Sequence, residues 1–485
     1  MEELNKTIKK LNEKEFQQLV SAVAGNKKNK PFLLLQTARN NSYDEIKMME
    51  ILDISPTAYY TLKSRLNKRV ASFLSKNVQN PINVLKEEVA RIPAMMFGHS
   101  KVITIRALKE LEKQLDEYDL STELIIVYKA LARLHMYTPE YDYYERMYNK
   151  RVAFSLSVEK AEDQMHSFIK AFGKYMLTRD ASDFEVVQSV DRELSNIFEL
   201  YESHRLFVIS NIVGLYKKCN INSDQDGLKS QEMQVDAMLQ RMKSTFDKYE
   251  LDTFYQNIKP LISLMYFEYY QKTGNQVRAD FYYETINAEI TEHARKHTFS
   301  FFVTQFLNAK LERFLENRDV QQLGDINEAL QKSFDVDVNE AYQYISFKKF
   351  LAITKYYEGD YTGAAKTINA LRNDIPVKHY TYSDIECKLF QALQYAIIGE
   401  DSLCNQIISS VKRQVNDEEE LNDPIRVFIK MLKTSLRPEE FRIKVKKITD
   451  LWDRFNTVNT GDQKLLSFLK MDEALIRRMA NPIKE

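Results

Sequence analysis

Glu289, His293 and His297 recur every four residues, the spacing of a helical metal site. On a helix this sets two imidazoles and a carboxylate on one face, the donors that zinc takes. The metalloprotease pattern also needs a glutamate directly after the first histidine. Here Ala294 follows, Glu292 precedes, and Arg295 and Lys296 would repel a cation. The segment reads as a solvated helix end. His99, His135, His166, His204 and His379 stand alone, and Cys219, Cys387 and Cys404 lie far apart with no metal spacing. An odd, unframed cysteine count fits a reducing compartment. The sequence shows no glycine-rich phosphate loop and no nucleophile signature. The acidic run from Asp417 to Glu420 reads as the lead-in to a helix starting near Asn422. No catalytic residue, metal ligand or cofactor is assigned, and the chain is not expected to be an enzyme.

A second chemistry is phosphate neutralisation. Residues 57–86 carry six basic side chains and no acidic one. A helix over 43–52, a turn at Asp53, Ile54 and Ser55, and a second helix with Ser55 as cap and Pro56 in its first turn are expected. Ala58, Leu62 and Leu66 would face inward. This 43–70 segment resembles a helix-turn-helix, with Asp53 where that family favours glycine. The resemblance implies a recognition helix in a DNA groove. Lys63, Arg65, Lys68 and Arg69 would then meet phosphates, and Thr57, Tyr59, Tyr60 or Ser64 would reach base edges. The alternative is an ordinary helix pair with a solvated basic face. The whole chain has no net charge, which argues against a wholesale nucleic-acid or acidic-membrane binder, although residues 1–100 carry about +6.

The elements that position these groups are helical. Among 485 residues there are only 11 Gly and 10 Pro, so tight turns are scarce and long helices with short connections are favoured. The 55 Tyr and Phe read as core and rim residues of packed helices, and the methionines Met95, Met96, Met233, Met238 and Met242 as core filler. No run of 18 apolar residues occurs and the first 16 residues lack an apolar signal core, so no membrane span and a cytoplasmic location are expected. A peripheral membrane role stays open.

Three regions follow. Residues 1–80 hold short helices, with breaks at 25–30 and 40–42 and a close at Asn80-Pro81. Residues 81–220 read as long helices, with apolar faces at Ile103, Leu108, Leu111 and Leu115 and at Leu124, Val127, Leu131 and Leu134. Thr138 is the expected cap of a helix whose first turn holds Pro139. The stretch 141–177 is one very long helix or two with a kink at Gly173. The clearest loop is 220–229. Residues 230–480 carry repeats.

Leu351, Ala352, Gly359, Ala364, Ile368, Leu371 and Pro376 form the best repeat unit: a large and a small residue, a turn glycine, then a second small residue with its helix face and a closing proline. Gly274 is followed at offsets 5, 9 and 12 by Ala279, Tyr283 and Ile286. Gly399 is followed at the same offsets by Cys404, Ile408 and Val411, and Asn317 by Gln322, Ile326 and Ala329. Small residues let paired helices approach, and glycine frees the turn between them. Over about 255–415 these residues resemble the tetratricopeptide repeat, at a longer period of about 42 and with Lys348 and Lys355 at aromatic positions of the family's first helix. The resemblance implies an all-α solenoid of antiparallel helix pairs whose concave face holds a protein or peptide.

The leading expectation is a non-enzymatic scaffold or adaptor for protein–protein interaction. The alternative is a transcriptional regulator in which the helix-turn-helix reads DNA and the repeats sense a partner.

Overall fold

The computed structural model describes residues 16, 19–21, 23, 29–40, 49, 51–77, 81–201, 203–220, 232–250, 252–294, 300–334, 336–415, 422–460 and 464–481. Helix accounts for 85% of them, and no strand occurs among them. The chain divides into two compact units, residues 1–118 and 119–485.

The first unit contains α1 (Lys30–Asn40), α2 (Pro56–Asn77), α3 (Pro81–Gly98) and α4 (Lys101–Glu117). Asp53 takes the left-handed conformation at φ 48° before α2, although it is not glycine. The Ser55 hydroxyl accepts the Ala58 N–H at 3.4 Å, which caps α2 as expected. The buried face of α2 differs by one residue from expectation. Tyr59, Leu66 and Val70 are buried with Leu62 packed beside them, and Ala58 is exposed. A tyrosine ring removes far more apolar area from water than an alanine methyl, so it sets the rotation of the helix. On α4 the same correction applies: Ile103 is exposed and Thr104 takes its place beside Leu108, Leu111 and Leu115. The Thr104 hydroxyl is satisfied by the carbonyls of Met95 and Ser100, so its burial leaves no orphan donor.

The second unit begins with α5 (Ser121–Leu134), α6 (Glu140–Thr178), α7 (Ala181–Leu200), α8 (His204–Asn220) and α9 (Glu232–Lys248). Residues 141–177 lie in one continuous helix, α6, that runs through Gly173. Thr138 does not cap it. Pro139 already has helical backbone angles, and the Thr138 hydroxyl donates back to the His135 carbonyl. Met233 is solvent-exposed rather than core filler, whereas Met242 is buried.

Then follow α10 (Thr253–Thr273), α11 (Gln276–His293), α12 (Ser300–Asn317), α13 (Val320–Gly324), α14 (Asn327–Ser333), α15 (Ala341–Tyr357), α16 (Tyr361–Asp374), α17 (Thr381–Ile398), α18 (Asp401–Val415), α19 (Asn422–Leu436), α20 (Phe441–Val458) and α21 (Glu473–Ala480). Neighbours pair as hairpins: α10 with α11, α15 with α16, α17 with α18, α19 with α20. The turns between the first three pairs fall at Gly274, Gly359 and Gly399, all left-handed with φ of 79°, 86° and 80°. Ala279, Ala364 and Cys404 are completely buried where the paired helices meet, and so are Ile368 and Leu371. Leu351 and Ala352 are buried on α15, while Pro376 is exposed just after α16 ends.

The fourth turn sits one residue later than expected. Asn317 is still helical, and Arg318 takes the left-handed conformation at φ 64°. Gln322 is only half-buried and Ala329 is exposed, while Ile326 is buried as expected. Offsets 5 and 12 from Arg318 instead reach Leu323 and Leu330, both buried. The second helix of this unit is broken into α13 and α14.

The hairpins do not simply stack end on end. The long α6 packs against α5, α7 and α8 and also against α15 and α17. Ser383 on α17 donates to the Leu177 carbonyl of α6 at 3.0 Å, both groups buried. Residues 382–394 of α17 are buried all round, so this helix lies at the centre of its unit.

Candidate functional site

A cavity of about 190 Å³ opens where α6, α12, α15 and α17 converge with residues 467–468. Phe172, Met176 and Leu177 come from α6, and Arg179 follows it in a left-handed conformation at φ 57°. The Arg179 guanidinium lies over the rings of Tyr175 and Tyr382. Gln305, Asn308 and Glu312 project from α12. Their spacings of 3 and 4 put them on one face of that helix. Tyr342, Ser346 and Lys349 come from α15 with the same spacing logic, and Ser383 and Glu386 from α17.

The polar groups of this wall are held from behind. Gln305 donates to Glu268 at 2.7 Å and to Asn220 at 3.1 Å, and accepts from the Tyr216 hydroxyl at 2.8 Å. Asn220 also donates to Glu268 at 3.4 Å. Burial pushes the Glu268 carboxyl up to about 7, against the lowering effect of Gln305 and of the Lys272 charge. Lys349 pairs with Glu386, whose other oxygen accepts the Leu466 N–H at 3.0 Å. Burial works to lower the Lys349 ammonium, but the Glu386 charge beside it holds it above its ordinary value. Asn308 donates to the Tyr342 hydroxyl at 3.2 Å. The cavity therefore combines amides and hydroxyls with the Arg179 guanidinium, the Lys349–Glu386 pair and Glu312, which pairs with Lys272 at 3.7 Å. None of its polar residues was assigned from sequence, where Asn220 reads only as the start of a loop. The signal that existed was the 3 and 4 spacing of Gln305, Asn308 and Glu312 on α12, a helix that also carries Thr304, Lys310 and Arg313.

A second polar cluster ties helix ends together. Asp119 accepts from Ser203 at 2.7 Å and lies 3.2 Å from Nε2 of His204. The other ring nitrogen of His204 meets the Tyr255 hydroxyl, and the ring stacks on Tyr249. His204 is thus not isolated. The serine proton goes to the carboxylate rather than to the imidazole, and the Ser203 oxygen accepts the Arg205 and Leu206 N–H groups at the start of α8. That is the geometry of a helix cap, not of a catalytic triad.

The basic helix of the first unit divides into two groups. Tyr60, Ser64, Arg65, Lys68 and Arg69 are exposed, and Lys63 is half-buried over the Tyr59 and Tyr60 rings. Tyr59 cannot reach a base edge, because it is fully buried. Arg69 donates to the Val23 carbonyl at 3.4 Å. The Thr57 side chain lies outside the described residues, as do His297 and the side chain of His293. Among the described residues no group of three or more His, Cys, Asp or Glu is placed to share a metal ion, and no helix is long and apolar enough to cross a membrane.

Comparison with family models, curated proteins and solved structures finds no match for this chain.

Proposed function

We propose that the chain is a non-enzymatic helical-repeat scaffold of tetratricopeptide-like build that binds a protein or peptide, and that the cavity between α6, α12, α15 and α17 holds an anchoring residue of that partner. The observation that carries this reading is the fixed amide-rich wall of Asn220, Gln305 and Asn308 inside an apolar helical frame. The Asn308 side chain, which makes one bond among the described residues, to Tyr342, offers both a donor and an acceptor, as a peptide backbone requires, while Asn220 and Gln305 are held by each other and by Glu268. The volume of about 190 Å³ falls below the roughly 300–1,000 Å³ of a cofactor or drug-sized site, and so suits one side chain or chain end rather than a whole ligand. The test is affinity capture from a lysate with mass spectrometry, repeated with Ser346→Trp, which fills the cavity. A partner retained by the wild type and lost by a variant of equal melting temperature supports the reading. Identical capture by both overturns it.

The exposed Arg65, Lys68 and Arg69 favour a second reading, a transcriptional regulator whose α2 meets DNA. A mobility-shift titration at two salt concentrations separates the two. Specific shifts that weaken steeply with salt and vanish when Lys63, Arg65, Lys68 and Arg69 become alanine select the regulator. Wild-type binding no better than a neutral control selects the scaffold.

A further inference from the structure

A second cavity, about 570 Å³, lies between α18 and α19, far in character from the amide-rich one. Lys412 and Arg413 reach it from the last turn of α18. Arg426, Lys430 and Lys433 reach it from one face of α19, at spacings of 4 and 3, and Arg437 from the residue that follows the helix. Among the described residues no acidic side chain lines it. Cations are ordinary near a helix C-terminus, where they complement the dipole. That accounts for one or two of them on each helix, not for six converging on one cleft.

The neighbouring charges of the same unit behave differently. Lys349 meets Glu386, Lys388 meets Asp384, Arg313 meets Asp280 and Lys310 meets Asp325. None of the six cleft cations forms an ion pair with a described carboxylate. Lys412 lies within hydrogen-bonding reach of Lys433, and that contact, with burial and the nearby Arg437, lowers the Lys433 ammonium below its ordinary value. Two ammonium groups this close repel, and an anion that accepts from both relieves the repulsion without either losing its proton. A carboxylate brings one negative charge. A phosphate brings nearly two and three strong acceptor oxygens, and suits the three arginine forks of the cleft. Among the described residues no aromatic side chain lines the cleft to stack a base, and its floor is Ile425 and Ile429, which are packed into the core. Residues 416–421, including the acids from Asp417 to Glu420, lie outside the described residues.

We propose that the α18–α19 cleft is an oligophosphate-binding site, in which Lys412, Lys430, Lys433 and the three arginines hold two or more linked phosphate groups. Such a ligand arrives as a free oligophosphate or as the phosphate chain of a nucleotide. The chemistry is shared, and the absence of a stacking residue among the lining side chains makes the nucleoside part of the second a passenger.

Calorimetric titration of the full chain at constant ionic strength tests this with inorganic tripolyphosphate, a nucleoside triphosphate, sulfate, an oligoglutamate peptide and a DNA duplex. Saturable binding of tripolyphosphate, at least about tenfold tighter than sulfate, is expected. Lys412→Gln/Lys433→Gln removes two charge-assisted donors and should weaken it by at least about tenfold, the loss that one of them alone would cause, with no fall in melting temperature. Arg426→Gln, on the exposed side of α19, should weaken it as well. A nucleoside triphosphate that binds no tighter than tripolyphosphate assigns the free oligophosphate, and one that binds tighter assigns the nucleotide; both support the site. No saturable tripolyphosphate binding, or binding unchanged in both variants, overturns it. Tighter binding of oligoglutamate or of duplex DNA, lost in the same variants, overturns it in favour of an acidic peptide or a nucleic acid.

Discussion

Tyr342 packs its ring directly onto Gly173, so that a Cβ at Gly173 would stand 2.9 Å from Cδ1 of the ring. The contact joins the long α6 to α15 at the wall of the amide-rich cavity. Gly173→Ala should cost about 1–3 kcal/mol, because the Tyr342 hydroxyl is tied to Asn308 and the ring has little room to retreat. In a Tyr342→Leu background the same change should become neutral or stabilising by up to about 1 kcal/mol, since alanine is the better helix former. Denaturant melts of the four chains check both signs. A loss of equal size in the two backgrounds would mean that the ring is not what excludes the methyl.

Ala364 is the completely buried small residue between α15 and α16. Ala364→Leu should overpack that seam and cost about 1–3 kcal/mol. Lys366→Leu, exposed two residues on, should change stability by less than about 0.5 kcal/mol. Equal melting shifts for the two would place the seam elsewhere.

The Tyr59 hydroxyl is buried with no hydrogen-bond partner among the described residues. Tyr59→Phe should therefore be neutral or slightly stabilising, whereas Tyr59→Ala should cost about 3–5 kcal/mol of the first unit's stability. The outward changes Arg65→Ala and Lys68→Ala should leave it within about 0.5 kcal/mol. If Tyr59→Phe destabilised the chain, the hydroxyl would be making a bond and the rotation of α2 would need revision.

All three thiols are buried, and burial pushes each up to about 12. The thiolate is the reactive form, so a thiol-specific reagent should label none of them in the native chain at neutral pH and all three after unfolding. Rapid native labelling of Cys404 would show that the α17–α18 seam opens.

What the sequence displayed best was what depends on local chemistry. Gly274, Gly359 and Gly399 announce their turns because a left-handed residue favours glycine, and Ala279, Ala364 and Cys404 announce the seams because bulk would not fit. Arg318 was hidden for the same reason, since a non-glycine residue carries the left-handed turn there and Asn317 beside it looks the better breaker. The rotation of α2 was ambiguous because Ala58 and Tyr59 are adjacent and both apolar, so only packing selects between them. The cavity residues were out of reach. Asn220, Glu268, Gln305, Lys349 and Glu386 come from five separate helices, and no spacing along the chain encodes their meeting. The basic cleft was half visible, as the Arg426, Lys430, Lys433 stripe, but Lys412 reaches it from another helix.

Glu268 gives the cavity wall a pH dependence. Its carboxyl ordinarily titrates near 4.5 and here is raised to about 7, chiefly by burial. Between those values the folded chain keeps a proton that the unfolded chain has released, so stability contributed by this group falls as pH rises through that window and levels off above it. Glu268→Gln holds the neutral shape throughout. Between about pH 4.5 and about pH 8 the variant should gain up to about 3 kcal/mol on the wild type, on top of a pH-independent cost of turning one of the two acceptor oxygens into an NH2. Chemical melts at a series of pH values read this directly. Asn220 and Gln305, which Glu268 holds in place, should lose part of their fixed orientation when the carboxylate gives way to a single amide oxygen. A stability difference between variant and wild type that stays constant from about pH 5 to about pH 8 would mean that Glu268 ionises like an exposed glutamate, and that water reaches it through the cavity.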